Sequence, residues 1–178
     1  NKALANNIDM INRTYNTGNM KAAAGAAVVI DVKNGGVLAA SNYPSFDQNL
    51  YATQYDEYSA DPSLPLFNRS LQGLYTPGST FKLLTALEYM REHPGDYNDY
   101  TFSCDGIFEY EEFKIQCASQ TAHGNVDFGL AFADSCNGAF ANLGLSLDLN
   151  RLYSLSEELL YNKELPLSLP YNKSSFTM

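Results

Sequence analysis

The sequence lacks the features of a membrane-spanning or nucleic-acid-binding protein. Its longest apolar stretch, residues 22–30 with Gly25 inside it, is far shorter than the ~20 residues that a membrane-spanning helix requires. Basic residues are few: 11 Lys and Arg stand against 20 Asp and Glu, for a formal net charge of −9. No run of Lys and Arg offers a positive surface to phosphates. The composition therefore argues against a nucleic-acid partner and against a membrane span within these residues.

Cysteine is also scarce, with only Cys104, Cys117 and Cys136 present. Three cysteines are too few for a disulfide scaffold, and they lack the paired spacing of a zinc ribbon. Cys104 and Cys117 flank a short acidic segment, so a disulfide closing that loop is one alternative in an oxidising compartment. The same two thiols with His123 have the residue types of a zinc site. Because the pattern offers them no fourth ligand, we predict no metal site.

The chain nevertheless has the composition of a globular protein. It has 178 residues, of which 45% are hydrophobic, so it can bury a core and matches the length of one domain. Apolar spacing predicts a helix over residues 1–15, with an exit loop at 15–19. Two β-rich runs at 26–32 and 37–41, separated by Lys33-Asn34-Gly35-Gly36, predict a hairpin. Their continuous apolar character predicts strands buried on both faces, with helices packed against the sheet.

The rest of the chain reads as helices joined by long connections. Residues 42–76, with Pro44, Pro62 and Pro65, are predicted to form a long irregular connection. Apolar residues at Phe81, Leu84 and Leu87, beside Leu83, predict a largely buried helix over 79–90. An acidic, aromatic loop region is expected after it. Further helices are predicted within 126–145, with an interruption near 135–138, and over 148–160.

Ser79 and Lys82 form the first candidate catalytic pair. They are three residues apart at the start of a predicted helix, so their side chains lie on one face, about one turn from each other. A serine hydroxyl becomes a nucleophile when a nearby base takes its proton. Burial and the positive end of a helix both favour a neutral lysine, which is the form that accepts a proton. The same pattern also fits an ordinary helix cap followed by a solvated lysine.

Ser135 and Asn137 form a second candidate pair, within the interrupted helical segment. A hydroxyl beside a lysine can relay a proton to a leaving amine, and a carboxamide can hold a substrate amide through its oxygen and its N–H groups. The alternative interpretation is a turn in which Asn137 caps the next helix. Pro77-Gly78 brings the backbone sharply into the helix that carries Ser79, where an oxyanion can bind.

These segments together resemble a known family. Residues 67–82 (FNRSLQGLYTPGSTFK) are similar to the S-x-x-K region of penicillin-binding protein transpeptidases. Residues 25–31 and 36–40 with 42–47 resemble the family's paired strands and following loop. Ser135-Cys136-Asn137, preceded by His123-Gly124, resembles the S-x-N region of class B members. The resemblance runs in order from about Gly25 to Leu165.

The resemblance implies an α/β (α+β) fold of the penicillin-binding protein and serine β-lactamase type, with helices packed on an antiparallel sheet. Ser79 would attack the penultimate D-alanine of a peptidoglycan stem peptide and form an acyl-enzyme. Lys82 would accept the Ser79 proton, Ser135 would pass it to the leaving amine, and Asn137 would position the substrate amide. β-Lactams would acylate Ser79. The family implies no metal or organic cofactor, an upstream membrane anchor, action outside the cytoplasmic membrane of a bacterium, and a glycan-polymerising partner.

One family motif has no counterpart in the sequence. The third motif, K-[ST]-G, is absent, because Lys163 and Lys173 are the only lysines after Asn137 and neither is followed by Thr-Gly or Ser-Gly. We therefore expect residues 1–178 to form only part of a transpeptidase domain, ending before the strand that would carry this motif. The motif's strand supplies an oxyanion donor in the family, and losing one such donor costs ~10²–10³ in rate. We expect the chain alone to be a poor catalyst.

Three other functions remain open at this stage. A serine β-lactamase or a D,D-carboxypeptidase shares Ser-x-x-Lys and transfers the acyl group to water. A β-lactam sensor or scaffold would use the same site without turnover. In the third alternative, the chain is an acidic α/β domain in which Ser79 only caps a helix and Lys82 only packs through its aliphatic stem, so that it has no acylation site.

Overall fold

The computed structural model describes residues 1–15 and 22–177. The predicted exit loop at 15–19 lies outside these residues except for Tyr15. In the described part, the chain divides into two compact units, one of Asn1–Leu74 with Leu167–Asn172 and one of Tyr75–Pro166 with the residues from Lys173 onwards. None of the helices in the described part is long and apolar enough to span a membrane.

The first unit contains three helices and a hairpin: α1 (Lys2–Thr14), β1 (Gly25–Ile30), β2 (Val37–Tyr43), α2 (Tyr55–Ala60) and α3 (Arg69–Gln72). The predicted N-terminal helix and hairpin are confirmed. Asp31 and the glycines close the hairpin: the Gly35 N–H donates to the Asp31 carbonyl, and the Asp31 N–H donates to Gly36. Gly35 has a φ of 75°, a left-handed conformation that glycine adopts without strain.

The hairpin differs from the prediction in its burial. Five of the six residues of β1 are exposed, and Val29 retains 51% of its accessible surface. In the described structure, the hairpin is a two-stranded sheet that contacts α1 and α3. The prediction that both faces of the strands are buried is therefore wrong. A continuous apolar run indicates that a strand is suited to burial, but it does not show that helices or strands of the described residues cover both of its faces.

The connection after the hairpin is more ordered than expected. It contains a 3₁₀ turn at Gln48–Leu50 and the short helices α2 and α3. Arg69 is buried, and its guanidinium donates to the carbonyls of Ser63, Leu64 and Phe67. The Arg69 guanidinium thus ties the irregular residues before α3 to that helix, a role that local apolar spacing does not reveal.

In the described residues, the second unit contains four helices and four short strands. They are α4 (Lys82–Glu92), β3 (Thr101–Cys104), β4 (Ile107–Tyr110), β5 (Phe113–Gln116), β6 (Gly124–Asp127), α5 (Phe128–Ala133), α6 (Asn137–Ser146) and α7 (Leu149–Glu158), and the 3₁₀ turn Gly78–Phe81 leads into α4. The helices agree with the predicted segments, including the interruption before Asn137. The expected acidic loop instead forms two antiparallel pairs, β3 with β6 and β4 with β5. Strands of four residues carry too little periodicity to be recognised in the sequence.

The core of the second unit lies around α4 and α6. Leu84, Ala139 and Leu143 are buried in it together with Val126 and Ala131. The buried face of α4 passes through Leu84, Glu88 and Tyr89, whereas Leu83 and Leu87 are exposed. Helix α4 therefore buries one face only, and this face fixes the direction in which its first residue, Lys82, points.

The Glu88 carboxylate is the most buried charge of this core. Only 1% of its side chain is exposed, and its charge is matched by Arg151 on α7, whose Nε lies 3.1 Å from Oε1, with Arg91 at 4.0 Å. Burial raises the pKa of Glu88, and the two arginines oppose that rise. The ion pair joins α4 to α7 across the core.

Replacing Arg151 tests this pairing. We expect Arg151→Ala to lower the free energy of unfolding by about 1–3 kcal/mol at pH 7, since it removes the nearest partner of a buried carboxylate. The folded state raises the pKa of Glu88, so its protonated form favours folding. The loss should therefore shrink as pH falls toward the unfolded pKa of glutamate. Denaturant titrations of the parent chain and the variant, at pH 7 and at a pH near the unfolded pKa of glutamate, measure this loss of free energy.

Arg13→Ala is the matched control, because the Arg13–Asp9 pair on α1 is exposed on both sides. Its removal should cost less than about 1 kcal/mol. An Arg151→Ala loss that is no larger, or one that grows as pH falls, would contradict the assignment.

Candidate active site

The site lies in the second unit, where the start of α4 meets the turn before α6. Ser79 belongs to the 3₁₀ turn that leads into α4, and the preceding Gly78 has a φ of 57°, which glycine adopts without strain. Thr80 stabilises this turn, since its hydroxyl donates to the Pro77 carbonyl at 2.6 Å. Ser79 is exposed at the mouth of the helix.

Lys82 donates more hydrogen bonds within the site than the other three residues. Its Nζ donates to the Ser135 hydroxyl at 2.8 Å, to the Ser135 carbonyl, and to Asn137 Oδ1 at 2.6 Å. The ring of Phe140, one turn along α6, lies 5.6 Å from the same nitrogen. Three acceptors match the three donors of an ammonium group, so the arrangement describes the protonated form of Lys82.

Ser135 connects Lys82 to Ser79. Its hydroxyl accepts from Lys82 and donates to Ser79 Oγ at 3.0 Å. Among the described hydrogen bonds, the path from Lys82 to Ser79 runs through this hydroxyl. A proton can therefore travel between Ser79 and Lys82 along two short hydrogen bonds once their direction is reversed.

Asn137 is held from both ends of its side chain. Oδ1 accepts from Lys82, and Nδ2 donates to the Gln116 carbonyl at 2.7 Å, where β5 ends. Helix α6 itself is anchored by the Tyr100 hydroxyl, which donates to the Ala139 carbonyl at 3.0 Å. The carboxamide is thus orientated before any substrate arrives.

All four sequence-predicted residues, Ser79, Lys82, Ser135 and Asn137, come together here. Two further contributors were not among the predicted site residues: the Gln116 carbonyl, and the ring of Phe140, a residue of the segment that resembles the family's S-x-N region. A backbone carbonyl at a strand end carries no residue-type signal. The position of Phe140 three residues after Asn137 puts both on one face of a helix, which is a signal that the sequence does contain.

Burial shapes the acid–base properties of Lys82. Loss of solvent disfavours its charged form and lowers the pKa of Lys82, while the nearby thiols of Cys136 and Cys117 oppose this change. A lowered pKa increases the fraction of neutral amine, the form that can take a proton from a serine. The same environment that binds the ammonium also brings its deprotonation closer to neutral pH.

The three cysteines lie behind this site as free thiols, all buried. Cys136 stands between Ser135 and Asn137, and its sulfur lies 3.9 Å from that of Cys117. Cys104, Cys117, His123 and Cys136 have ligand atoms within 4.8 Å of one another. The prediction that no fourth ligand accompanies the other three is therefore wrong. Cys136 lies 13 residues after His123 in the sequence, and the fold brings its sulfur next to the other three ligand atoms. The short spacings that identify metal ligands in a sequence do not include this separation.

Comparison with known proteins identifies the family. Residues 25–177 match the family model described as the penicillin binding protein transpeptidase domain. The chain belongs to this family, and the fold and class B membership predicted from its motifs are confirmed. It is 31% identical over 147 residues to the peptidoglycan D,D-transpeptidase PbpA of Mycolicibacterium smegmatis. That match covers 75% of this chain but 29% of the relative, so the chain spans less than a third of the relative's length.

Solved structures show the same similarity. One is the D,D-transpeptidase domain of a peptidoglycan glycosyltransferase from Eggerthella lenta, with a TM-score of 0.77 and 28% identity over 86% of this chain and 37% of that one. Another is penicillin-binding protein A from M. tuberculosis as a ceftriaxone acyl-enzyme complex. Its TM-score is 0.76, with 25% identity over 85% of this chain and 37% of that one.

The backbone of Ser135 provides a stability test of the site. Its φ of 52° lies in the left-handed region, which costs a residue with a Cβ roughly 1–2 kcal/mol. We expect Ser135→Gly to unfold with a free energy roughly 1 kcal/mol higher than Ser135→Ala, since both remove the hydroxyl and only glycine relieves the strain. Chemical denaturation of the two variants measures the difference. A less stable glycine variant would contradict it.

The protonation of Lys82 provides an electrostatic test. We expect its amine to titrate below the ordinary range of lysine, because burial disfavours the ammonium. Carbon-13 NMR of the lysine Cε groups follows the titration, and Lys82→Arg assigns the signal. A midpoint at or above the usual lysine value would show that the three hydrogen bonds outweigh burial.

Proposed function

We propose that this chain carries the acyl-enzyme site of a peptidoglycan D,D-transpeptidase. The observation that supports the proposal is the continuous path of hydrogen bonds from Ser79 through Ser135 to Lys82, with Asn137 fixed beside it. A cap serine and a solvated lysine need no such path. The names of the relatives, a D,D-transpeptidase and an acyl-enzyme with a β-lactam, support the same reaction.

The proposed acylation balances its protons through these residues. Ser79 Oγ attacks the carbonyl of the penultimate D-alanine, and its proton passes through the Ser135 hydroxyl to neutral Lys82. The C–N bond to the terminal D-alanine breaks, and the proton returns through Ser135 to the departing amine. Asn137 accepts and donates hydrogen bonds to the substrate amide. The amine of a second stem peptide then attacks the ester and regenerates Ser79.

The proposal extends to partners and place of action. The substrates are stem peptides of peptidoglycan, and β-lactams are inhibitors that acylate Ser79. A cross-linking reaction needs newly made glycan strands, so a glycan polymerase is the partner that its chemistry calls for. Peptidoglycan lies outside the cytoplasmic membrane, which is where we propose that the whole protein acts.

Acylation by benzylpenicillin tests the roles of the four residues. Intact-protein mass spectrometry should find one adduct on Ser79 in the chain and none in Ser79→Ala. Lys82→Ala should slow acylation by about 10²–10⁴, the usual contribution of a general base. The rate should rise with pH as Lys82 loses its proton, with a midpoint below the ordinary pKa of lysine, because burial lowers the pKa of Lys82.

Two matched controls separate chemistry from general damage. Ser154 and Lys114 are exposed residues outside the site, so Ser154→Ala and Lys114→Ala should acylate like the parent chain. An adduct that persists in Ser79→Ala would overturn the assignment of the nucleophile. Absence of any adduct in a folded chain would count against a preformed site in these residues.

The alternatives predict different fates for the adduct. A β-lactamase would hydrolyse it within the assay and release opened penicillin, whereas a transpeptidase should keep it. A sensor would hold the adduct but fail to turn over a D-Ala-D-Ala thioester in the whole protein. A D,D-carboxypeptidase would turn that thioester over to water and leave an added amine acceptor unused.

A further inference from the structure

The 3₁₀ turn that carries Ser79 packs only one of its side chains against the core of the second unit. Of its four residues, Gly78, Ser79 and Thr80 are exposed, and the ring of Phe81 is partly buried. Phe81 lies two residues after Ser79 and one residue before Lys82. The packing of this ring therefore bears directly on where the Ser79 hydroxyl lies.

Two aromatic rings from later in the chain pack on Phe81. The centroid of the Phe176 ring lies 5.3 Å from that of Phe81, and the Tyr161 ring meets Phe81 edge-on at 6.4 Å. Phe176 also contacts Tyr161 at 6.4 Å and stacks on Tyr153 of α7 at 6.2 Å. These separations are those at which aromatic pairs attract each other. Since Phe176 contacts all three of the other rings, it is the centre of this aromatic cluster.

Asn162 holds the backbone of Phe176. Its Nδ2 donates to the Phe176 carbonyl at 2.7 Å, and its Oδ1 accepts from the Phe176 N–H at 2.9 Å. The Asn162 N–H in turn donates to the Ser174 carbonyl at 3.2 Å. Asn162 has a φ of 57°, a left-handed conformation that asparagine adopts more readily than most residues. One carboxamide thus matches both polar groups of the Phe176 backbone.

The turn has few other attachments. The Thr80 hydroxyl and N–H both donate to the Pro77 carbonyl, so these bonds fix the shape of the turn but not its place. Among the described hydrogen bonds, the one that joins the turn to a distant part of the chain is donated by Ser135 to Ser79. The proposed reaction reverses that bond, because the Ser79 proton passes to Ser135. A support that stays unchanged during acylation therefore has to come from the packing of Phe81.

We propose that Phe176, fixed by Asn162, is a positioning residue for the acylation of Ser79. It supports the ring of Phe81 and so keeps the Ser79 hydroxyl within hydrogen-bonding distance of Ser135. Phe176 acts on geometry alone, without contact with a reacting atom. The inference rests on the proposed function and adds a residue to it. Such support matters, because a misplacement of ~1 Å can slow a reaction by ~10².

NMR tests the support of the turn without any reaction. Phe176→Ala should shift the backbone amide resonances of the turn in proton–nitrogen correlation spectra. Asn162→Gly should shift the same resonances, since it removes the carboxamide and leaves the left-handed backbone unstrained. This variant keeps all of the rings, so its shifts report movement of the turn rather than the loss of a ring, and it serves equally where Phe176→Ala fails to fold.

Phe46→Ala is the matched control. Phe46 is also partly buried in an aromatic cluster, where it packs on Tyr51 and Tyr58 of the first unit. Its removal should leave the amide resonances of the turn and the acylation rate unchanged. Resonances of the turn that stay unchanged in both Phe176→Ala and Asn162→Gly would overturn the proposal.

Acylation kinetics measure the consequence for Ser79. Rapid-quench mass spectrometry separates the dissociation constant of benzylpenicillin from the rate constant of acylation. In variants that are fully folded by circular dichroism, Phe176→Ala should lower the rate constant by about tenfold to hundredfold. The dissociation constant and the final adduct of one per chain should not change. Phe176→Leu, which restores most of the apolar volume, should recover most of the rate.

A double variant tests whether Phe176 acts through Phe81. Phe81→Ala should slow acylation by itself. Adding Phe176→Ala to it should slow acylation by less than about twofold more, because residues that act through one contact are not additive. Two effects that multiply fully would show another route to Ser79 and would overturn this assignment.

The outcomes separate this proposal from the proposed function. A parent chain that forms no adduct counts against the acyl-enzyme site, and the amide resonances still decide whether Phe176 supports the turn. A parent chain that is acylated no faster than Phe176→Ala and Asn162→Gly keeps the proposed function and overturns the positioning role.

Discussion

The ammonium group of Lys82 is the interaction on which the arrangement of the site depends. It stands at the first residue of α4, and its three hydrogen bonds end on two residues more than 50 positions away in the chain. A charge that is partly removed from water must be paired or hydrogen-bonded, so the turn that carries Ser135 and Asn137 has to close over it. Ser79 and Ser135 meet because this requirement is satisfied.

The environment of Lys82 acts on both protonation states of its amine. Three acceptors favour the ammonium, and burial favours the amine. Burial is the larger of the effects on Lys82, so its pKa is lowered and the neutral amine is formed more readily than in an exposed lysine. Ser135 combines a left-handed φ with hydrogen bonds from Lys82 to both its hydroxyl and its carbonyl.

The scaffold behind the site holds these groups still. Helix α4 is fixed along its buried face by Leu84 and Tyr89 and by the Glu88–Arg151 pair to α7. Helix α6 packs against the short strands and accepts a hydrogen bond from Tyr100. The cysteine and histidine cluster lies at the junction of the same elements. Rigid packing on one side and a strained turn on the other leave little freedom for the serine, lysine and asparagine.

The helices, the hairpin and the four residues proposed for the site could be predicted from the amino-acid sequence. Periodicity over ten or more residues is strong enough to recognise α4 and α7. The motifs Ser-x-x-Lys and Ser-x-Asn span only three or four residues each and are recognised from residue type and spacing alone. The folded chain was needed to show that Ser135 stands between Lys82 and Ser79, that the Gln116 carbonyl orientates Asn137, and that Cys136 lies beside Cys104, Cys117 and His123. It also decided that the hairpin is exposed and that residues 101–127 form strands. These features depend on contacts between distant segments, and such contacts follow from packing and hydrogen bonding rather than from local spacing.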